Sequence, residues 1–149
     1  MRLFGLVGGE ETQRSRIFLG LVAELTRRGV QVATLHEAPG GFDPDRPGKD
    51  SYEHRKAGAS EVLLMAPELS ALMHENSGAR PSPKQLAGQL AFADLVLIEG
   101  FEDSPHPKAR IGAGGALCDA SVVATLRPDG LDIAALADLA LARAENLSP

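Results

Sequence analysis

The sequence predicts an α/β protein with three layers, in which helices cover both faces of a mostly parallel sheet. Short apolar runs alternate with segments of helical spacing, and strand, helix and strand follow one another within the first 35 residues. The run Leu95–Ile98 has no polar face, which is typical of a strand buried on both sides. Of the 149 residues, 44% are hydrophobic, and we expect residues 1–149 to form one domain.

The first strand–helix–strand unit lies at the start of the chain. Arg2–Val7 is an apolar strand that ends in a pair of glycines, and the residues after it have helical spacing. Gly29 is expected to end this helix, and Val30–Leu35 is the next strand. Such a unit builds a parallel sheet because the helix returns the chain to the end of the sheet where it began.

A loop and a short helix come next. Pro39–Asp50 is rich in Gly, Pro and Asp, a composition typical of loops. Asp50 or Ser51 is expected to cap a short helix, because both side chains can accept a hydrogen bond from a free backbone amide. Gly58 is expected to end that helix.

Two short strands and a helix are predicted in the middle of the chain. Val62–Ala66 and Leu69–Met73 are separated by a Pro-Glu pair and favour a β-hairpin. A helix over Leu69–His74 is the alternative. Pro83–Leu90 is predicted to be helical, since proline is favoured in the first turn of a helix.

The last third of the chain contains the buried strand and a final helix. Leu95–Ile98 is the buried strand, and Glu99 follows at its carboxyl end. Ala109–Ile111 and Val122–Leu126 are predicted to be short strands. Asp132–Asn146 is expected to form an amphipathic helix because its apolar residues recur at helical spacing.

Composition and charge argue against several classes of protein. The formal net charge of -5 leaves no basic field for a phosphate backbone, so we expect no nucleic-acid binding. The apolar runs are far shorter than the ~20 residues of a membrane helix, so we expect no membrane span. Cys118 has no partner for an internal disulfide, which predicts a small buried residue in a cytoplasmic protein.

The first turn lies where a phosphate-binding loop, or P-loop, would lie. That loop has the pattern G-x-x-x-x-G-K-[ST], in which glycines let backbone amides surround the phosphates. Residues 8–15 have the sequence G-G-E-E-T-Q-R-S. Gly8 and Ser15 fit the pattern, Arg14 keeps a positive charge, and Gln13 replaces the second glycine. Because Gln13 and two glutamates disfavour a triphosphate, we predict weak binding at a degenerate P-loop, with a plain turn as the alternative.

Two later segments carry longer motifs. Asp43–Ala59 has the sequence D-P-D-R-P-G-K-D-S-Y-E-H-R-K-A-G-A, and Asp94–Phe101 is a strand that ends in Glu-Gly-Phe. Pro107 and Lys108 follow. These segments resemble the D-x-D-x-x-G-K-D-S-x-x-x-R-x-A-G-A signature, the strand end and the P-K-I-type segment of the MobB family. That family serves molybdopterin-guanine dinucleotide biosynthesis, and the order of elements is similar over nearly the whole chain.

The resemblance implies a P-loop NTPase-like fold, commonly dimeric, that binds GTP and assists the enzyme joining GMP to molybdopterin. In that alignment Gly8, Arg14 and Ser15 occupy the phosphate-loop positions, with Arg14 where the family has lysine. Glu99 would lie near Mg²⁺ and the triphosphate, which makes Ser15 and Glu99 the candidate metal ligands. Of a histidine-rich run that is common in the family after the second strand, His36 alone is kept as a polar ligand.

A candidate site follows from the resemblance and from the position of Glu99. The carboxyl ends of parallel strands are where α/β folds bind ligands. Lys49 and Arg55 would offer positive charge to a pterin phosphate or a nucleotide. The candidate cofactor-binding residues are Gly8, Arg14, Ser15, His36, Lys49, Asp50, Ser51, Arg55, Glu99 and Gly100.

We further predict that Gly48–Arg55 and Glu99–Phe101 form one functional surface at the carboxyl edge of the sheet. Lys49 and Glu99 are expected to be exposed charges there, so that removing either should leave the fold intact.

The leading hypothesis is an accessory or adaptor protein of molybdenum cofactor biosynthesis with weak or altered nucleotide binding. A molybdenum cofactor guanylyltransferase would be its partner, a homodimer its assembly, and GTP with Mg²⁺ or molybdopterin its ligand. Two alternatives remain open, namely an active GTPase in which Arg14 replaces the usual lysine, and a structural partner subunit without a ligand. The sequence leaves open whether the protein is an enzyme.

Overall fold

The computed structural model describes residues 1–76, 78–112 and 119–147. Cys118, predicted to be a small buried residue, lies outside them. Contacts divide the chain into two compact units, one made of Met1–Glu37 with Pro81–Pro149 and the other of Ala38–Arg80. A single domain over residues 1–149 stays a prediction.

The described part of the chain contains eight strands and four helices. The elements are, in order, β1 (Arg2–Gly8), α1 (Glu11–Arg27), β2 (Val32–His36), α2 (Asp50–Lys56), β3 (Glu61–Met65), β4 (Ser70–His74), α3 (Pro83–Ala87), β5 (Leu95–Glu99), β6 (Lys108–Ile111), β7 (Val122–Leu126), α4 (Ile133–Arg143) and β8 (Glu145–Asn146).

The larger unit is built on one sheet with the strand order β2-β5-β1-β6-β7, and β8 also pairs with β1. The four neighbouring pairs of that path are parallel, and β8 is antiparallel to β1. The predicted mostly parallel sheet is therefore confirmed. Strand β5 lies between β2 and β1, and all five of its residues are buried, as its continuously apolar sequence predicted.

Helices cover the two faces of this sheet. Successive residues of a strand point to opposite faces, so β5 contributes to two cores. Leu95 and Leu97 pack in a cluster with residues of α1 and α4, whereas Val96 and Ile98 pack in a second cluster with Ala87 of α3. The predicted three-layer arrangement is confirmed.

The carboxyl-terminal helix is shorter than predicted. α4 ends at Arg143, and Glu145–Asn146 forms strand β8 against Arg2 and Leu3 of β1. Residues 145 and 146 pair with β1 instead of continuing the helix. The edge of β1 beside Arg2 and Leu3 is available to them because β6 contacts β1 only from Gly5 onward. The helix α3 also stops early, at Ala87, because Gly88 is its cap.

The cap of α2 differs from the prediction as well. Its cap residue is Lys49, and no side chain accepts a hydrogen bond there. Asp50 is the first helical residue, and the hydroxyl of Ser51 donates to Asp45 at 2.9 Å, so neither serves as the cap. Gly58 follows the end of the helix with a φ of 104°, as expected of a glycine in that place.

The smaller unit contains α2 and an antiparallel hairpin of β3 and β4. The hairpin is confirmed, and the alternative helix over Leu69–His74 is wrong. Leu63 pairs directly with Leu72, and their side chains are 66% and 56% exposed. An apolar face of this hairpin therefore lies open in the single chain.

None of the helices in the described residues has the length and apolar character required to span a membrane.

The ionisable side chains of His106 and Lys108 are buried beside β1. Lys108 is fully buried, and its ammonium donates to the carbonyl of Glu102 at 2.6 Å and to that of Ser104. His106 is 1% exposed, and among the described residues neither ring nitrogen has a hydrogen-bond partner. The ring fills the space beside Gly5, where a Cβ would lie 2.3 Å from its Nε2 atom.

The free energy of unfolding is expected to fall in acid because His106 is buried in its neutral form. Desolvation, helped by the nearby Lys108 ammonium, lowers the pKa of His106 from 6.5 to about 4, while Glu145 and Asp119 oppose the shift. The unfolded chain thus binds a proton that the folded chain does not, and stability is lost as the pH falls from about 6.5 to about 4. The loss amounts to about 3 kcal/mol, since each pKa unit corresponds to about 1.4 kcal/mol.

Urea unfolding at about pH 7 and about pH 4 measures this loss in the wild type and in His106→Leu, which has no titrating ring. The difference between the two pH values should be smaller in the variant by about 3 kcal/mol. Equal pH dependence of the two proteins contradicts the prediction.

Candidate functional site

A buried carboxylate lies at the centre of a polar cluster at the end of β5. Glu99 is 5% exposed. Its Oε1 atom accepts hydrogen bonds from the Ser15 hydroxyl at 3.0 Å and from Arg14 Nε at 3.3 Å. Its Oε2 atom lies 3.0 Å from Nδ1 of His36. The structure thus brings four of the sequence-predicted site residues together, and we call Glu99, Arg14, Ser15 and His36 the Glu99 cluster.

The parallel sheet explains why these side chains meet. Strands β2 and β1 both flank β5, and their register places His36 and Leu6 beside Glu99. Helix α1 begins directly after β1, so Arg14 and Ser15 lie near its start at the same edge. Residues 84 and 63 positions apart in sequence are therefore neighbours at the carboxyl ends of adjacent strands.

The guanidinium of Arg14 joins the carboxylate to the first turn. Besides its bond to Glu99, its Nη1 atom donates to the carbonyl of Gly8 at 3.1 Å. The Glu99 side chain is 7% exposed and the Arg14 side chain 20%, so the ion pair is largely shielded from water. The positive charge at position 14 is therefore balanced by a carboxylate of the same chain.

The backbone of the first turn differs from a phosphate cradle. Helix α1 already begins at Glu11, and the backbone amide of Arg14 donates to the Glu10 carbonyl at 2.8 Å. In a phosphate-binding loop the residues between the first glycine and the lysine form an open loop whose amides surround the phosphates. Here a helical turn contains three of those residues, so this backbone does not fit a triphosphate with Mg²⁺ in that mode.

The candidate metal ligands lie together but are engaged. The Ser15 hydroxyl donates to Glu99, and the same carboxylate also meets Arg14 and His36. Within residues 1–76, 78–112 and 119–147, no group of three or more His, Cys, Asp or Glu side chains is arranged to hold a metal ion.

Glu37 belongs to the same edge and was not singled out by the sequence. Its Oε2 atom accepts the backbone N–H of Phe101 at 2.5 Å, and its own N–H donates to the carbonyl of Glu99 at 3.0 Å. Gly100 lies between these two contacts with a φ of 95°. The one available signal was its place directly after His36, at the carboxyl end of a strand.

The signature segment in the smaller unit is largely bonded to itself. Arg55 donates to Glu75 at 2.7 Å and to Asp43 at 3.1 Å, and its Nη1 atom lies 3.6 Å from Asp45 Oδ2. Hydrogen bonds with Glu75 and then Asp43 raise the pKa of the Arg55 guanidinium above its ordinary value. The buried Ser51 hydroxyl bonds to the same Asp45.

These contacts divide the predicted site residues of this unit into two groups. Ser51 and Arg55 hold the loop before α2, whereas Lys49 and Asp50 are exposed. Of the two cations predicted to bind a ligand in this segment, Lys49 therefore faces solvent and Arg55 is bonded to neighbouring carboxylates.

The predicted site residues fall into both units of the chain. Gly8, Arg14, Ser15, His36, Glu99 and Gly100 belong to the larger unit, and Lys49, Asp50, Ser51 and Arg55 to the smaller one. One functional surface made of Gly48–Arg55 and Glu99–Phe101 stays a prediction. The expectation that Glu99 is an exposed charge is wrong, because its carboxylate is buried and contacts three other side chains.

Comparison with known proteins identifies the family. A family model described as "Molybdopterin guanine dinucleotide synthesis protein B" matches residues 3–132. A "Molybdopterin-guanine dinucleotide biosynthesis adapter protein" of Escherichia coli (strain K12) is 33% identical over 137 residues, which are 84% of this chain and 78% of that protein. The protein of that name from Haemophilus influenzae is also 33% identical, over 71% of this chain and 60% of its own length. The chain thus spans less than two thirds of the Haemophilus relative.

Solved structures agree in fold. The crystal structure of Bacillus subtilis MobB superposes with a TM-score of 0.66 at 18% identity and covers 97% of this chain and 99% of that one. At this identity the likeness concerns the fold, while the family model covers residues 3–132 by sequence. This chain belongs to the MobB family.

Proposed function

We propose that this chain is an accessory protein, an adaptor, of molybdopterin-guanine dinucleotide biosynthesis that acts beside a guanylyltransferase and binds nucleotides weakly. Membership of the MobB family and the adapter proteins among its relatives support this role. One observation carries the prediction of weak nucleotide binding, namely that the polar groups of Glu99, Arg14, Ser15 and His36 contact one another.

The Glu99 cluster suits a fixed surface better than a hydrolytic centre. A phosphate entering beside Arg14 would compete with Glu99 for the guanidinium, and the carboxylate would repel it. The first turn of α1 has no open loop to compensate with backbone amides. A partner protein or the pterin phosphate of molybdopterin can instead be held by groups outside the cluster, among which Lys49 offers an exposed ammonium. A cytoplasmic location remains part of this proposal.

The proposal predicts weak GTP binding. We expect a dissociation constant of about 0.1 mM or weaker in the presence of Mg²⁺, equivalent to about 5.5 kcal/mol or less. Isothermal titration calorimetry measures it. The double substitution of Gln13→Gly with Arg14→Lys restores the residue types of the loop but not its backbone, so we expect a gain below about tenfold.

Micromolar binding by the wild type would contradict this prediction and favour the active GTPase in which Arg14 replaces lysine. Ser15→Ala separates the two hypotheses further, because it removes a candidate Mg²⁺ ligand and keeps the ion pair of Arg14 with Glu99. It should lower GTP turnover strongly in a GTPase and leave partner binding unchanged in an adaptor.

The adaptor role predicts that exposed groups, rather than the P-loop positions, determine partner binding. Lys49→Ala should weaken the complex with the guanylyltransferase by about tenfold or more, measured by surface plasmon resonance, and should change stability by less than about 0.5 kcal/mol. Lys84→Ala, which removes a half-exposed lysine of the larger unit, is the matched control. Equal binding by Lys49→Ala, Lys84→Ala and wild type would refute the role of Lys49.

Glu99 needs a gentler substitution than an exposed charge. Glu99→Ala would leave Arg14 without its carboxylate, at a cost of about 1–3 kcal/mol for the unpaired group. Glu99→Gln keeps the shape of the side chain and one acceptor oxygen, so it should lower the melting temperature less than Glu99→Ala. Its effect on partner binding can then be measured on a folded protein.

The homodimer belongs to the same proposal and is supported by the smaller unit. Leu63 and Leu72 face solvent side by side on β3 and β4, and Met65 lies two residues further along the same face. A two-stranded hairpin with one open apolar face is marginally stable in water. A second copy of the chain would supply the same apolar face and so cover it.

A charge on this face is therefore expected to separate the dimer. Leu63→Glu with Leu72→Glu should convert a dimer of about twice 15.6 kDa into a monomer in analytical ultracentrifugation. Leu19→Glu is the matched control, because Leu19 is 67% exposed but lies on α1. A monomeric wild type, or a dimer that survives both substitutions in the hairpin, contradicts this assembly.

A further inference from the structure

The structure assigns Glu37 a positioning role for the Glu99 cluster. We propose that its carboxylate holds the peptide between Gly100 and Phe101 and thereby directs the carboxyl end of β5, where Glu99 lies. This inference deepens the proposed function and rests on it, because the proposed weak nucleotide binding depends on a Glu99 cluster that stays fixed, and Glu37 helps to fix it.

Glu37 contacts the chain on both sides of Gly100. Its backbone N–H donates to the carbonyl of Glu99 at 3.0 Å, which extends the pairing of β2 with β5 by one bond. Its side-chain Oε2 atom accepts the N–H of Phe101 at 2.5 Å. One residue therefore holds the amide that follows Gly100 and the carbonyl that precedes it.

The packing at Gly100 depends on the same side chain. A Cβ at position 100 would lie 2.7 Å from Cβ of Glu37 and 2.9 Å from its Oε2 atom. A side-chain Cβ does not approach non-bonded atoms this closely, so a larger residue at position 100 would displace the Glu37 side chain. With its φ of 95°, Gly100 also has a conformation that favours glycine.

Phe101 needs an external contact to keep its conformation. Its φ of 55° is the one positive value at a non-glycine residue in the described part of the chain, and an aromatic residue rarely adopts it. Two features favour it here, the hydrogen bond to Glu37 and the burial of Phe101 in the cluster that contains Val96 and Ile98. Without the carboxylate, the N–H of Phe101 would lose that acceptor, and the backbone would have less reason to stay left-handed.

The contacts of Glu37 also restrain the Glu99 cluster, because two residues of these contacts are covalent neighbours of cluster residues. Gly100 follows Glu99, and Glu37 follows His36, so the same contacts restrain both partners of the 3.0 Å contact between Glu99 and His36. The residues that follow Phe101 are held separately, since Lys108 donates to the carbonyls of Glu102 and Ser104. Glu37 acts at the end that meets the cluster.

Amide hydrogen exchange and NMR of the isolated chain test the proposal. In Glu37→Ala the exchange rate of the Phe101 amide should rise by about tenfold or more, because its acceptor is gone. The ring signals of His36, assigned with His36→Asn, should shift because Glu99 moves. Glu37→Gln keeps an acceptor oxygen and should restore both values close to those of the wild type.

Gly100→Ala tests the same contact from the opposite side and keeps the proposal testable if Glu37→Ala unfolds. Its methyl group should displace the Glu37 carboxylate and produce the same two changes. Glu102→Ala is the matched control for exchange, because it removes an exposed carboxylate from the same loop and leaves its carbonyl to Lys108.

The positioning role is overturned if Glu37→Ala and Gly100→Ala leave the Phe101 amide and the His36 signals as in the wild type. It is also overturned if Glu37→Gln behaves like Glu37→Ala. Neither measurement needs a partner protein. The two proposals can therefore fail separately. If Lys49→Ala does not weaken guanylyltransferase binding, its role in the adaptor hypothesis fails while the role of Glu37 stands. If the Glu37 variants leave the NMR signals unchanged, the role of Glu37 fails while the adaptor hypothesis stands.

Discussion

The buried carboxylate of Glu99 is the constraint on which the candidate site depends. A carboxylate that is 5% exposed is costly unless charged and polar groups satisfy it. Arg14 supplies the opposite charge, and Ser15 and His36 supply further polar contacts. Because these groups come from α1 and β2, the ends of two strands and the start of one helix must meet at one point, which the parallel sheet provides.

The same interaction shapes what the edge can do. Arg14 would have to serve a phosphate and Glu99 at once, and the helical turn before it leaves no open loop of backbone amides. On the proposed function, a cluster whose polar groups contact one another gives the edge a rigid surface, whereas a nucleotide would need a pocket that closes around it. Glu37 extends this rigidity into the loop after β5, since it binds the chain on either side of Gly100.

Sequence patterns were informative where one residue type allows few environments. The run Leu95–Ile98 has no polar face, so burial between two strands was predictable, and the turn between β3 and β4 was visible as a break in two apolar runs. The signature segment was recognisable as a motif, but its internal bonds were not. Arg55 and Ser51 looked like ligand-binding groups, yet they bond to Glu75, Asp43 and Asp45, which the spacing of the motif does not reveal.

The sequence by itself determined the α/β class, the order of the elements up to α4 and membership of the MobB family, because periodicity and motif spacing depend on residues close together in the chain. The tertiary structure alone decided that β8 pairs with β1, that Lys49 rather than Asp50 or Ser51 is the cap of α2, and that Glu99 is buried. It also decided the place of Glu37. Each of these features rests on contacts between residues distant in sequence or on competition for one hydrogen-bond partner, and a local pattern contains no information about either.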